Sequence, residues 1–237
     1  MAYTLQNYLD EIKDIALGDR SDLTDATITR WVNTAQERIA RVHNWRELRQ
    51  TTDITLGFTG VAATDKVLDF NALLGTNFRA VHNFVIEDGA ESLKLERLGP
   101  DQFDEIIPLP EYFATGRPTI YTVWTKTETL LHKVPDEAYT ARIRWHKWPT
   151  ALSSGSDVTD FDRKDDLILH LTLSFAFALY RAEESAMKHF GIYQSILKES
   201  IGEDANNPDL QVVRPNFLVK GGRVMGSEYW NDPFYKG

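Results

Sequence analysis

The stretch 167-LILHLTLSFAFALY-180 decides the fold class, because it is the most apolar part of the chain. A wide apolar face recurs in it at helical spacing and predicts a central helix; the face consists of Leu167, Ile168, Leu171, Phe175, Ala178 and Leu179. Asp160 and Asp162 are candidate N-caps of this helix, and Asp165 and Asp166 suit the positive end of its dipole. The stretch has 14 residues, whereas a membrane span needs about 18 apolar ones.

The helical pattern continues from this stretch to residue 201. A single helix over that distance would be about 58 Å long at about 1.5 Å per residue, which is too long for a domain of this size. We therefore expect a break near residues 181–185 and two consecutive helices. We expect His170 to be a hydrogen-bonded core histidine, and we place His43 and His189 near helix C-terminal ends, where the dipole favours a cation.

Two amphipathic helices are predicted at the N-terminus. Thr4 can cap the first, whose apolar residues recur at spacings of three and four until Gly18 ends it. Thr24 or Asp25 can cap the second, which runs to about residue 44, and the two form a helical hairpin. Together with the later helices, they predict an antiparallel α-helical bundle made of residues 1–49 and 150–202.

Residues 50–149 are predicted to form a small antiparallel β domain inserted into this bundle, so the fold class is α+β. From Thr51 onward apolar and polar residues alternate, and five further segments up to residue 146 are predicted as strands. The clearest is 139-YTARIRWH-146, in which one face is apolar and the other is cationic. An antiparallel sheet with one face in water has this pattern.

Residues 203–237 are predicted to be an extended C-terminal arm, since they contain 4 Gly and 3 Pro and keep no regular period. The arm is nevertheless rich in apolar side chains, which pure linkers avoid. Aromatic anchors on such an arm commonly bind a partner, although the arm could also fold back on its own domain. The candidate partner-binding residues are Val212, Val213, Phe217, Leu218, Tyr229, Trp230, Phe234 and Tyr235.

Charge and composition exclude several functional classes. Lys and Arg number 26 against 35 Asp and Glu, which gives a net charge of −9, so a general nucleic-acid binder is disfavoured. With 0 Cys, the chain has neither disulfides nor thiolate sites. The first residues, MAYTLQNYLDEIKD, lack the basic and apolar regions of a signal peptide, which predicts a protein that is intracellular where it is made.

Catalytic motifs are missing as well. The chain has neither the G-x-S-x-G motif of a nucleophile elbow nor a phosphate-binding loop around Gly57 and Gly60. The five aspartates between residues 157 and 166 are expected to cap the following helix and to line a solvated loop rather than bind calcium. His132 and His146, on neighbouring predicted strands, lack a third zinc ligand. We therefore propose no catalytic residue, no metal and no cofactor.

The cationic side of the clearest strand allows two interpretations. Arg142, Arg144, His146 and Lys147 follow one another along it. One interpretation is the solvated face of the sheet, and the other is a complementary patch for an acidic neighbouring subunit or a tail protein. Arg142, Arg144 and Lys147 are the candidates for the second role.

The order of elements, together with several phrases, resembles the head-to-tail adaptor proteins of tailed bacteriophages, including the tail tubular protein A type. The phrases are LTDATITRWVNTAQERIARVHNWREL, LERLGPDQFDEIIP, TGRPTIYTVW, LHKVPDEAYTARIRWHKWPTALS and LILHLTLSFAFALYRAEE. Together they cover most of residues 5–200.

The resemblance implies a structural virion protein at the head–tail junction, made in the host cytoplasm. Such adaptors form a twelve-fold ring below the portal protein, extend the channel through which double-stranded DNA passes without specific binding, and dock tail or nozzle proteins. The C-terminal arm often lies against the portal. No membrane is implied. The alternatives are a neck or tail-completion protein that does not contact the portal, a cell-wall hydrolase, and a DNA-binding regulator.

Overall fold

A computed structural model describes residues 3–17, 23–88, 91–125 and 128–206, and it is mixed α and β as expected. Four longer helices occupy the two ends of the described chain: α1 (Leu5–Leu17), α2 (Asp25–Val42), α6 (Asp165–Leu179) and α7 (Glu183–Asn206). Three short helices lie between them: α3 (Ala62–Asp65), α4 (Phe70–Leu74) and α5 (Pro100–Ile106). The short helices were not predicted, because each spans two turns or fewer and leaves no clear period in the sequence.

Helices α1, α2 and α6 contact one another pairwise and enclose an apolar core. The amphipathic spacing explains this, since most of the predicted apolar positions are buried: Leu5, Leu9, Ile12, Ile28, Val32, Ala35 and Ile39. Val42, predicted on the same face at the end of α2, is exposed. Thr24 is the N-cap of α2, and its side chain accepts a hydrogen bond from the Thr27 amide, as predicted. That these helices form an antiparallel bundle stays a prediction.

The start of α6 differs from the prediction. The helix begins at Asp165, its N-cap position is Lys164, and no side chain caps it. Asp160 does not cap the helix, because its carboxylate accepts hydrogen bonds from the Lys147 ammonium and the Thr150 amide, both at 2.6 Å. Asp165 and Asp166 do lie in the first turn, where their charge complements the helix dipole.

The predicted break between the last two helices is confirmed. Helix α6 ends at Leu179 and α7 begins at Glu183. Arg181, between them, has φ 56°, a left-handed conformation that interrupts the helical path. His189 stacks on Phe177 with ring centroids 5.2 Å apart. The chain therefore turns back at the break, and the first part of α7 lies against α6.

The first sheet has the strand order β1-β8-β3-β4 and is antiparallel throughout. Its strands are β1 (Arg49–Leu56), β8 (Tyr139–Lys147), β3 (Phe78–Asp88) and β4 (Glu91–Lys94). The alternation read from residues 139–146 holds for most of β8, because Tyr139, Ala141, Ile143 and Trp145 are buried and Thr140 and Arg144 are exposed. His146 is the exception, since it is buried on the polar side.

The second sheet has the order β2-β7-β6-β5. We expected an antiparallel sheet, but this one is mixed. Its strands are short: β2 (Val67–Leu68), β5 (Glu96–Arg97), β6 (Ile120–Val123) and β7 (Thr129–His132). The pairing of β5 with β6 is parallel. A two-residue strand has too few residues to show an alternation, so the sequence could not reveal its direction.

The two sheets share one hydrophobic core. Phe84 of the first sheet and Tyr121 of the second meet edge to face, with centroids 5.4 Å apart, and Phe70 of α4 packs against Phe84. At the other end of the first sheet, the guanidinium groups of Arg41 from α2 and Arg79 from β3 lie over the Trp148 ring, 5.7 and 5.1 Å from its centroid. These contacts tie the sheet to the helices.

Residues 1–200 form one unit by their contacts and residues 201–237 a second, of which the structure describes the last residues of α7. That residues 50–149 form a separate inserted domain stays a prediction. Within the described residues, none of the helices combines the length and apolar character needed to cross a bilayer.

Candidate interaction surfaces

The aspartates around residue 160 serve structural purposes. The Asp157 carboxylate accepts hydrogen bonds from the Ser153 and Ser154 amides at 2.7 and 2.8 Å, and these bonds hold the pKa of Asp157 below its usual value. Asp165 accepts from the buried Tyr8 hydroxyl at 2.8 Å. In the described part of the chain, no group of three or more His, Asp or Glu side chains is arranged to hold a metal ion.

The two histidines that were predicted on neighbouring strands lie in different sheets. His132 lies on β7 in the second sheet and His146 on β8 in the first. His146 is instead T-shaped to His82, with centroids 5.8 Å apart. Burial, followed by the charges of Arg49, His82 and Arg79, lowers the pKa of His146 to about 4.

A second histidine pair joins α6 to α7. The Nδ1 atoms of His170 and His189 are 3.0 Å apart, so one ring donates and the other accepts. The hydrogen-bonded role expected for His170 is thus confirmed. His189 does not lie near the C-terminal end of its helix, because α7 continues to Asn206. Both histidines are explained by this helix contact.

A groove of about 760 Å³ runs between α1, α2 and residues 152–155. The Asn33 side chain crosses it, donating to the Leu152 carbonyl at 3.0 Å and accepting from the Leu152 amide at 2.8 Å. The Asn33 side chain therefore holds the loop at Leu152 against α2. No cluster of titratable groups in the groove indicates catalysis.

The outer face of the first sheet is its polar face, and it carries both candidate arginines. Arg142 forms a bidentate pair with Asp53 at 2.7 and 3.1 Å and reaches Glu87 at 3.2 Å. Its hydrogen bonds hold the pKa of Asp53 below the usual value. Arg144 is exposed between Thr51 and Asn83 of the neighbouring strands. Among the described residues, Arg144 has no ion-pair partner.

Lys147 is separated from the two arginines. It is opposite Phe78 in the register. Because it is two residues from Trp145, its side chain lies on the same, buried side of the strand. Its ammonium bonds the Asp160 carboxylate at 2.6 Å, and only 18% of its side chain is exposed. The lysine therefore fastens the end of β8 to the loop that precedes α6.

Helix α7 leaves much of its surface exposed. Of its residues 183–200 only Tyr193 is buried, whereas eight residues of α6 are buried. Met187, Phe190 and the neighbouring Leu179 are large apolar side chains in water. A helix that is solvated on most sides in a single copy has surface available for other subunits.

A further exposed apolar surface lies beside the second sheet. Four large side chains of residues 106–113 are 43–81% exposed, and we call them the apolar tip: Ile106, Leu109, Tyr112 and Phe113. Tyr112 is the most exposed of them at 81%. A monomer seldom leaves so many large apolar groups together in water.

The segment that carries the tip is held in place by its neighbours. Pro110 and Tyr112 belong to a 3-10 turn, Pro110–Tyr112. The Glu111 carboxylate bonds the Lys66 ammonium at 2.8 Å, and this bond holds the pKa of Glu111 below its usual value. Phe113 packs edge to face on His132, with centroids 5.3 Å apart. The exposed side chains are therefore presented on a defined backbone.

Sequence reasoning missed the tip. Its signal is the run 106-IIPLPEYF-113, in which apolar residues surround two prolines. Proline excludes a helix interior and a central strand, so these apolar residues cannot all be buried by regular structure. The predicted partner-binding residues of the arm, from Val212 to Tyr235, lie outside the described residues.

The comparisons with known proteins identify the family of the chain. No curated protein matches the chain. The model of the SU10 adaptor protein family matches residues 3–214, which is most of the chain and includes both sheets and all four longer helices. The chain belongs to the SU10 adaptor protein family, a family of phage adaptors.

Proposed function

We propose that this chain is a head-to-tail adaptor that forms a ring below the portal, extends the DNA channel and docks tail or nozzle proteins. The observation that carries the proposal is the family match over residues 3–214. A phage adaptor is a structural component of the virion, and membership therefore implies an assembly role rather than an enzymatic one. The twelve-fold symmetry and the tail tubular protein A-like subtype belong to the proposal.

Two features of the described chain support self-assembly. Helix α7 has few buried residues. The outer face of the first sheet carries Arg144 without an ion-pair partner on a chain of net charge −9. Ring formation requires two different complementary surfaces on each subunit. We therefore assign Arg144, with Arg142 beside it, to a contact with an acidic surface of the next subunit.

The C-terminal arm is assigned to the portal. Its aromatic residues Tyr229, Trp230, Phe234 and Tyr235 would be buried on docking, together with the apolar group at Val212, Val213, Phe217 and Leu218. Aromatic side chains bury much area with little loss of rotamer entropy, which suits an arm that binds late. The net negative charge of the chain supports a channel in which DNA slides without adhering.

The mass and shape of the purified protein, alone and with a portal ring, test the proposal. Light scattering and negative-stain microscopy should show a monomer that becomes a stacked ring on the portal. Deletion of residues 208–237 should abolish portal binding, and unchanged binding would exclude the arm's role. A wild-type chain that ignores the portal but binds the tail tube would favour the neck or tail-completion alternative.

A further inference from the structure

We infer that the apolar tip is the docking site for the tail-side protein, and that this partner presents an apolar pocket bordered by lysines or arginines. The inference rests on the proposed function, which gives the arm to the portal and leaves the tail-side contact unassigned. The four tip residues supply the composition expected of an interface centre, namely large aliphatic and aromatic side chains.

A neighbouring loop extends the exposed apolar surface. Phe58 and Val61 are about half exposed, and Phe58 and Thr115 line the same small cavity of about 220 Å³. The Lys66–Glu111 bond joins the chain after this loop to the tip segment. A contact made by both loops would therefore bury apolar side chains from two segments.

The loop is itself preorganised. The Asp65 carboxylate accepts from the Thr59 amide at 3.0 Å, from the Thr59 hydroxyl at 2.7 Å and from the Gly60 amide at 3.0 Å. A loop that is already held in one conformation loses less entropy when a partner binds it. The geometry is thus that of a prepared docking surface.

The charge around the tip selects the partner. Helix α5 leads into the tip and exposes Asp101, Asp104 and Glu105, none of which has an ion-pair partner in the described part of the chain. Carboxylates beside an apolar centre favour a pocket bordered by cations and disfavour phosphate-rich surfaces such as DNA or anionic lipid.

The outer sheet face of a second copy does not fit the tip well. On the outer face of the first sheet, which is cationic, Arg144 is surrounded by polar groups. Its exposed neighbours include Thr51, Thr55 and Thr140, which offer no apolar pocket for Tyr112. Occupation of the tip by a second copy would instead appear as a loss of ring formation when the tip residues are altered.

The test uses the full-length chain assembled on portal rings, with the purified tail-side protein of the same phage as probe. The variant Leu109→Ser/Tyr112→Ser should form rings as the wild type does, while its affinity for the tail-side protein, measured by biolayer interferometry, falls at least about tenfold. The matched control Ile15→Ser/Val42→Ser alters two exposed apolar residues on α1 and α2, and it should keep the wild-type affinity.

A charge variant tests the chemistry of the partner. Asp104→Lys/Glu105→Lys should weaken the same contact, and the wild-type affinity should fall as salt is raised. Wild-type affinity in the tip variant, an equal loss in the control, or no loss in the charge variant would each overturn the inference. Failure of the proposed function is seen separately, because the wild-type chain would then form no ring on the portal.

Discussion

The two sheets differ in how far they are completed by their own chain. The first has strands of up to 11 residues, and its apolar inner face is covered by the second sheet and α4. The second has strands of two to four residues, and its connecting segments carry Phe58, Tyr112 and other exposed apolar groups. Long alternating strands build a core, whereas short strands leave apolar residues in the loops for a partner.

The largest expected effect is on the shared core of the two sheets. Phe84→Ala removes a fully buried ring that contacts Phe70 and Tyr121. We expect the free energy of unfolding to fall by about 3–5 kcal/mol, because a cavity replaces the ring. Urea denaturation followed by far-ultraviolet circular dichroism measures it. A loss below about 1 kcal/mol would mean that the sheets do not share this core.

The outer face of the first sheet should respond to acid through His146. Its pKa of about 4 lies below the value of about 6.5 in an unfolded chain. The unfolded state therefore binds more protons between about pH 4 and 6.5, and the stabilising contribution is complete above that range and is lost as the pH falls through it, up to about 3 kcal/mol.

The variant His146→Gln isolates this term. Carboxylates titrate in both proteins, so the difference between their unfolding free energies at pH 7 and pH 5 reports the histidine. We expect the wild type to lose more stability than the variant on acidification. Equal losses would show that His146 is accessible to protons in the folded state.

A smaller effect is expected in the loop beside the second sheet. Asp65→Ala removes the acceptor of three hydrogen-bond donors of Thr59 and Gly60. Burial alone would raise the pKa of Asp65, but the hydrogen bonds from Thr59 and Gly60 hold it below its usual value. We expect the variant to lose about 1–3 kcal/mol of unfolding free energy.

Amide hydrogen exchange locates that effect. Protection should decrease at residues 57–66 in Asp65→Ala, while the strands of the first sheet keep theirs. The variant Asp69→Ala is the control, since Asp69 caps α4 through the Asn71 and Ala72 amides and does not bond the 57–61 loop. Loss of protection at residues 57–61 in the control would contradict the local role of Asp65.

The smallest effect on stability is expected at the tip. Tyr112→Ala alters a side chain that is 81% exposed, and the unfolding free energy should change by less than about 0.5 kcal/mol. Thermal denaturation beside Phe84→Ala measures it. A loss comparable to that of Phe84→Ala would mean that Tyr112 supports the fold rather than a partner, and it would remove the contrast between the sheets.

Much of the architecture could be predicted because it follows from local patterns. The amphipathic spacing of α1 and α2, and the break between α6 and α7, depend on residues within a few turns of one another. The alternation in β8 likewise identified the buried side of its sheet. The assignment of Asp160 to a helix cap failed because its partner is not local: the lysine that it bonds lies on a strand 13 residues away.

The candidate surfaces were predicted less completely than the fold. Arg142 and Arg144 were correctly placed on a polar face, and Lys147 was grouped with them because it is adjacent in sequence. In the structure, Lys147 lies on the opposite side of β8 from the two arginines and pairs with Asp160. The tip was missed because a run of apolar residues does not by itself show which of its side chains are buried and which are exposed.

By itself, the sequence determined the helix–strand–helix order and the polar and apolar sides of the long strands, because periodicity and residue type are local properties. Only the tertiary structure decided which strands pair, that His146 meets His82 rather than His132, and that Tyr112 stays in water while Phe84 does not. Pairing and burial depend on residues far apart in the chain, since a side chain is covered only when other segments reach it.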